Sequence, residues 1–274
     1  MRVDVDISQH QQPWDELLRR VAFAEEAGFG GAWVFDHLKA LYGPREGPCF
    51  EAWTLLAGLA AKTSRIRLGA LVTGVTYRHP SMLAAEAVTV DHISGGRLDL
   101  GMGAAWFEQE HIELGIEFPP AGERISRLAE AVDVVTRLMT EAGVDYDGRY
   151  YRLRNATYRP LPVQRPHPPI WIGGQGERRM LPLVARKADV WHGFGNVAEL
   201  ARKSKLLDQL AEDAGRDPTT LRRSSYLSLS EPWDEVRRTA DGLREVGFDV
   251  LIASWPSEGW ARIDEFAATV LPDL

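Results

Sequence analysis

The chain has 274 residues, 45% of them hydrophobic and 26% charged, an ordinary composition for a folded soluble protein. Its formal net charge of −7 is spread along the sequence, which argues against nucleic acid or an anionic membrane surface as the main partner. The single cysteine, Cys49, excludes an internal disulfide and fits a reducing cytoplasm, where we expect the protein. No base neighbours Cys49 in sequence, so it reads as a small, partly buried side chain and not as a nucleophile. No apolar run approaches the ~20 residues a membrane span needs, and the charged start, Met1 to Asp6, lacks the apolar run of a signal peptide.

Taken in order, Val3 to Ile7 alternates apolar and acidic residues, a strand signal. Pro13 opens a helix with Leu17, Leu18, Val21 and Ala24 on one stripe, and Gly28 ends it. Ala32 to Phe35 is a second strand that delivers Asp36 and His37. A helix is expected from about Phe50 to Lys62, a strand from Ile66 to Leu71, and a helix from Pro80 to Gly95-Gly96. A fourth strand, Arg97 to Gly101, leads into Gly103-Ala104-Ala105-Trp106, and a helix follows from about Glu123 to Thr140. Asp147-Gly148 between aromatic and polar residues signals a hairpin. Five prolines between Pro160 and Pro169 then nearly exclude a helix, so this stretch reads as a surface excursion before the fifth strand, Pro169 to Ile172. The alternation resumes with a helix from Glu177 to Lys187 and a strand from Val190 to Phe194. Asn196 is expected to cap a helix reaching Asp213. Strands at Arg222 to Ser230 and Phe248 to Trp255, each followed by a helix, complete the chain.

Eight strand-helix units in strict alternation imply a parallel sheet with right-handed crossovers. At this length a closed (β/α)8 barrel, one domain over residues 1–274, is favoured over an open sheet. The active face is then built from the segments after the strands. Asp36 and His37 form an ionisable pair there, although Asp36 could equally cap the next segment and His37 pack under a loop. The glycine-rich turn Gly173-Gly174-Gln175-Gly176 runs towards a helix, with Gly195-Asn196 as a second such start. Either can meet a phosphate through free amides and the helix dipole, or simply be a tight turn. Histidines His37, His79, His92, His111, His167 and His192 could serve a metal, but none pairs at metal-motif spacing, and no metal ligand is assigned. His92 and His111 are expected to be solvent-exposed. Trp33, Trp53, Trp171 and Trp191 read as core. Trp106, among the small residues Gly103, Ala104 and Ala105, could wall a flat ligand.

Together these residues resemble the luciferase-like flavin and deazaflavin oxidoreductases, specifically the coenzyme F420-dependent branch. The resemblance runs through Trp33-Val34-Phe35-Asp36-His37, Glu51-Ala52-Trp53-Thr54, Thr73 to Pro80 and Ile93 to Gly101. It continues through Gly103 to Glu108, Phe118-Pro119 and Pro162 to Gly174. It implies a (β/α)8 barrel that binds F420, with FMN as the alternative cofactor. His37, with Asp36 beside it, would lie near the reacting edge of the ring. Ala70, Leu71 and Thr73 would support the ring's back face, with a non-prolyl cis peptide joining Ala70 and Leu71. Gly173 and Gly174 would hold the cofactor phosphate, with Gly195 and Asn196 nearby. The resemblance also implies a homodimer. Sugar-phosphate dehydrogenases of the branch carry a tryptophan and a glutamate where this chain has Leu41 and Trp106, so a neutral, flat or apolar substrate is expected. The competing readings are an FMN-dependent monooxygenase using oxygen, a barrel hydrolase with a metal on Asp36 and His37, and a cofactor-binding protein without turnover.

Overall fold

The eight barrel strands are separated by helices, with additional short elements between them, in a computed structural model that describes residues 1–274. The first half supplies β1 (Arg2–Asp6), α1 (Trp14–Ala27), β2 (Gly31–Val34), α2 (Ala52–Ala60), β3 (Arg67–Ala70) and the two-residue β4 (Thr73–Gly74). It continues with α3 (Pro80–Ser94), β5 (Leu98–Gly103), α4 (Glu108–Leu114) and α5 (Ala121–Thr140). The second half supplies β6 (Val144–Asp147), β7 (Arg152–Ala156), β8 (Ile170–Gly173), α6 (Met180–Lys187), β9 (Val190–Gly193) and α7 (Val197–Asp213). The last elements are β10 (Arg222–Leu227), α8 (Trp233–Glu245), β11 (Val250–Ser254) and α9 (Trp260–Thr269).

Local chemistry sets most boundaries. Gly28 ends α1 and Gly95 ends α3, both in the left-handed conformation at φ 92° and 67°. The Glu51 carboxylate caps α2 by accepting from the amides of Trp53 and Thr54. Asn196 caps α7 by accepting from the Glu199 amide, as its position predicts.

The strands β1, β2, β3, β5, β8, β9, β10 and β11 pair in parallel. β11 returns to β1 with Arg2 opposite Val250 and Asp6 opposite Ser254, so the barrel closes without a free edge. The larger apolar core lies between this barrel and its helices and includes Val3 and Val5 of β1. Asp4 and Asp6 alternate onto the other face of the strand, where Asp4 accepts from Trp33 Nε1 at 2.8 Å. Inside the barrel Trp33 and Trp171 meet with ring centroids 4.5 Å apart, beside Leu71, Val190, Val250 and Ile252. Below them Arg2 bonds both Asp4 and Asp99, and Arg67 bonds Asp99 from the other side. Burial works against the Asp99 charge, but the hydrogen bonds from Arg67 and Arg2 prevail and hold its carboxyl below the usual range.

The region before β8 is the expected hairpin and excursion. β6 and β7 pair antiparallel, with Tyr146 opposite Leu153. The buried Asp91 of α3 then holds the proline-rich stretch by accepting from the amides of Val163 and Gln164 at 2.7 and 3.0 Å.

Four expectations are corrected. The chain forms α4, which was not foreseen: its sequence Glu108 to Leu114 buries only Glu110 and His111, so it has no apolar stripe to detect. His111 is therefore buried and not solvated; it bonds Thr76 Oγ1 and the Phe107 carbonyl at 2.7 and 2.9 Å. The helix after β8 starts at Met180 and not at Glu177, leaving residues 177–179 in a turn. The non-prolyl cis peptide joins Leu71 and Val72, one residue later than Ala70 and Leu71. The Leu71 amide still bonds the Val34 carbonyl at 2.9 Å, so the chain leaves the ladder only after Leu71. No helix is long and apolar enough to cross a membrane.

Candidate active site

A cavity of about 450 Å³ opens at the carboxyl ends of the barrel strands. Phe35, Asp36 and His37 enter it from β2, and Leu41 and Tyr42 cover it from the following segment. Leu71, Val72 and Gly74 come from the β3–β4 bulge, Tyr77 from the turn before α3, and Gly103 to Trp106 from the end of β5. Gly173, Gly174, Met180, Phe194 and Tyr226 complete the wall. Twelve of its 18 lining residues are hydrophobic, and none is lysine or arginine. Such a volume and lining suit a flat, mainly apolar ligand held by a few polar groups.

His37 is one of those polar groups. Its Nδ1 lies 2.9 Å from Glu110 Oε2, and Nε2 has no partner within the protein. Glu110, wholly buried on α4, also accepts from the Tyr77 hydroxyl and from the amides of Leu38 and Lys39, both at 2.8 Å. Burial opposes its charge, but the His37 and Tyr77 hydrogen bonds prevail and hold the carboxyl at about 2. The Tyr77 hydroxyl is correspondingly pushed above its usual range, by burial first and then by Glu110. Burial and the neighbouring His37 push His10 down to about 4, so it is neutral at pH 7, and its Nδ1 accepts from the Leu41 amide at 3.1 Å. Around His37 stand the rings of Tyr77, Trp106 and Phe107, with centroids 6.4, 6.0 and 6.2 Å away.

Asp36 is held differently. Arg78 grips it with two bonds of 2.6 and 3.0 Å, and the Gly74 amide adds a third at 2.9 Å. Arg78 reaches on to Glu51, the α2 cap, at 3.2 Å and to Glu86 at 3.2 Å. The pair thus fastens the β2, β4 and α2 ends to one another. With its oxygens committed to Arg78 and Gly74, Asp36 does not offer them to the metal of a hydrolase, and no cluster of three His, Cys, Asp or Glu side chains converges elsewhere.

The floor is the bulge between β3 and β4. A Cβ on Gly103 would lie 2.4 Å from Val72 Cγ2, and one on Gly101 would lie 2.1 Å from the Ala70 carbonyl oxygen. The glycines of β5 therefore make room for the bulge itself. On the far wall the Gly174 amide bonds the His192 carbonyl at 3.2 Å, and Trp191 Nε1 bonds the Gly174 carbonyl at 2.8 Å. The Phe194 amide reaches Gln175 Oε1 at 3.3 Å, which draws the two glycine turns together. No protein acceptor meets the amides of Gln175, Gly176, Gly195 or Asn196.

Of the residues singled out from the sequence, Asp36, His37, Leu71, Gly103, Ala104, Trp106, Gly173 and Gly174 line this one cavity. Ala70 and Thr73 lie behind its wall, both buried, with Thr73 Oγ1 accepting from Trp53 Nε1 at 3.2 Å. Gly195 and Asn196 sit next to the Phe194 edge, and the Asn196 side chain is spent on capping α7. Trp106 is 65% exposed, on the rim. Cys49 is half-buried, and burial, then Glu110 and Asp36, push its thiol up to about 12. Glu110 was missed because it sits in the first turn of a helix that the sequence pattern does not signal. Arg78 and Tyr77 were in view, but nothing local says that they fold back onto Asp36 and Glu110.

The model of the luciferase-like monooxygenase family matches residues 1–245. The F420-dependent glucose-6-phosphate dehydrogenase of Microbacterium testaceum is 30% identical over 243 residues, covering 88% of this chain and 65% of that relative. Among solved structures, an F420-dependent secondary alcohol dehydrogenase in complex with an F420-acetone adduct has a TM-score of 0.88, with 17% identity over 98% of each chain. The monooxygenase RslO1 from Streptomyces bottropensis has a TM-score of 0.82, with 24% identity over 100% of this chain and 99% of that one. These two likenesses concern the barrel fold. By the family model, which covers residues 1–245, the chain belongs to the luciferase-like monooxygenase family and is an oxidoreductase.

Proposed function

We propose that this protein transfers a hydride between coenzyme F420 and a neutral organic substrate. The observation that carries the reading is an apolar cavity at the strand ends lined by His37, whose Nε2 has no partner within the protein. The residues present fit such a cofactor. The bulge between β3 and β4, backed by Gly101 and Gly103, lines the cavity where a tricyclic ring would rest. The amides of Gln175, Gly176, Gly195 and Asn196, in the turns beside Gly174 and Phe194, have no protein acceptor and are available to its phosphate, with Asn196 opening α7. F420, when bound, supplies the hydride chemistry; the protein positions the ring and excludes water.

In this reading His37 hydrogen-bonds the cofactor or moves the accompanying proton at Nε2. Asp36, locked by Arg78 and Gly74, anchors the end of β2 from which His37 projects. The wall made by Leu41, Tyr42, Trp106 and Phe194, with no cation among the lining residues, selects an uncharged substrate. A phosphorylated sugar would meet no balancing charge there.

The second reading, favoured by the monooxygenases that name the family, is FMN with oxygen. A fluorescence titration of the purified protein with F420, and separately with FMN, decides between them. Micromolar binding of F420 with FMN ignored is the expected result. Preference for FMN, with oxygen uptake on adding reduced FMN, moves the assignment to the monooxygenase reading. Binding of neither overturns both. The homodimer is proposed on the resemblance alone, and light scattering behind size exclusion reads it.

A further inference from the structure

We infer that Glu110 is a positioning residue with two loads: one oxygen sets the tautomer of His37, and the other pins the start of the segment that covers the cavity. The inference rests on the reading of His37 as the group that faces the cofactor.

Glu110 is wholly buried and has four donors. Oε2 takes His37 Nδ1 at 2.9 Å and the Tyr77 hydroxyl. Oε1 takes the amides of Leu38 and Lys39 at 2.8 Å each. No permanent cation touches it, because the Lys39 ammonium and the Arg45 guanidinium both go to Glu113 on the next turn of α4. A buried carboxylate in that position is held by hydrogen bonds alone, and losing any of them is costly.

The tautomer follows from the inventory of donors and acceptors. An ionised carboxylate only accepts, so the proton between Glu110 and His37 sits on Nδ1. In the neutral ring Nε2 is then an acceptor, and it is the nitrogen without a protein partner. A proton taken up there converts the ring to imidazolium, whose charge the Glu110 carboxylate balances at contact distance. This is the logic of a base oriented by a third group. The carboxyl, held at about 2, is ionised across the range in which histidine titrates.

The second load concerns the cover. Leu41 and Tyr42 line the cavity from the segment that begins at Leu38. Its backbone from Leu38 to Pro44 is tethered at three places: the Leu38 and Lys39 amides to Glu110, the Leu41 amide to His10, and the Tyr42 and Pro44 carbonyls to Gln11 at 2.8 and 2.6 Å. The Lys39 and Arg45 side chains add an ionic contact to Glu113. Glu110 is the tether shared with His37, so the orientation of the ring and the seating of the cover depend on one carboxylate. A residue that merely plugs the space under α4 would affect neither property specifically.

The test is 15N NMR of the histidine-labelled, cofactor-free full chain, with limited trypsin digestion alongside. In the wild type at alkaline pH, His37 is expected to show a protonated Nδ1 and an unprotonated Nε2. Tyr77→Phe, which removes one other donor from Glu110, keeps that tautomer. Glu110→Gln yields a mixed or reversed tautomer, and trypsin cuts after Lys39 and Arg45 about 5-fold faster or more, as a released tether requires. With reduced F420 the variant loses about 100-fold in turnover, while F420 affinity stays within about 3-fold. A wild-type His37 protonated at Nε2 overturns the inference, and this result needs no variant to fold. So does a Glu110→Gln protein with unchanged tautomer and unchanged cleavage. If F420 does not bind but the tautomer and cleavage results are as expected, the cofactor reading fails and the assignment of Glu110 stands.

Discussion

Removing Arg78 is expected to cost more stability than any other single change at the rim of the cavity. Its guanidinium makes two bonds to Asp36, at 2.6 and 3.0 Å, and one contact each to Glu51 and Glu86 at 3.2 Å. The Asp36 side chain is 1% exposed and the Arg78 side chain 11%. After Arg78→Met, Asp36 keeps only the Gly74 amide and becomes a buried, uncompensated charge. Glu86 softens the loss: burial already pushes its carboxyl up to about 7 despite Arg78, so it takes a proton when the guanidinium goes. The cost therefore falls on Asp36, and breaking one side of such a buried pair costs about 3–5 kcal/mol. Urea unfolding followed by circular dichroism and tryptophan fluorescence measures it. Asp36→Asn combined with Arg78→Met should recover about 2 kcal/mol or more relative to the sum of the single changes. A loss below about 1 kcal/mol for Arg78→Met, or strict additivity in the pair, would refute the view that Asp36 is a structural anchor for His37.

Other outcomes follow from the same geometry. His37→Ala should lower turnover by about 100-fold or more while F420 affinity changes little; steady-state kinetics set against the fluorescence titration would show equal turnover if His37 has no part in the chemistry. Gly103→Ala places a methyl group 2.4 Å from Val72 Cγ2, so the bulge must move. We expect a loss of about 1–3 kcal/mol in urea unfolding, accompanied by weaker F420 binding. Glu110 is held at about 2 in the folded protein, below its unfolded value of about 4.3. It therefore contributes stability that is fully present above the unfolded value and lost as pH falls towards the folded one. The stability gap between wild type and Glu110→Gln should accordingly narrow between pH 5 and pH 2.5 (about the span of the two values), and a gap that widens on acidification contradicts this sign.

The barrel was legible in the sequence because its signals are local and repeated. Most strands are short apolar or alternating runs followed by a helix with its own stripe, and stops such as Gly28 and Gly95 and caps such as Asn196 act within a few residues. The carboxyl ends of those strands therefore named a core of the cavity lining before any packing was considered: Asp36, His37, Gly103, Trp106, Gly173 and Gly174. Four features had no local signal. Helix α4 buries only two polar side chains, so its pattern looks like solvent-facing chain. The cis peptide lies one residue later than expected, and the Leu71 amide before it still bonds the Val34 carbonyl, a long-range hydrogen bond. The commitment of Asp36 to Arg78, and of His37 to Glu110, joins residues 42 and 73 positions apart. Sequence by itself determined the order of elements and the end of the barrel where the site lies, because periodicity and capping act over a few residues. Only the tertiary structure decided which polar groups are satisfied and which face the cavity, because a hydrogen bond depends on distance in space and not along the chain.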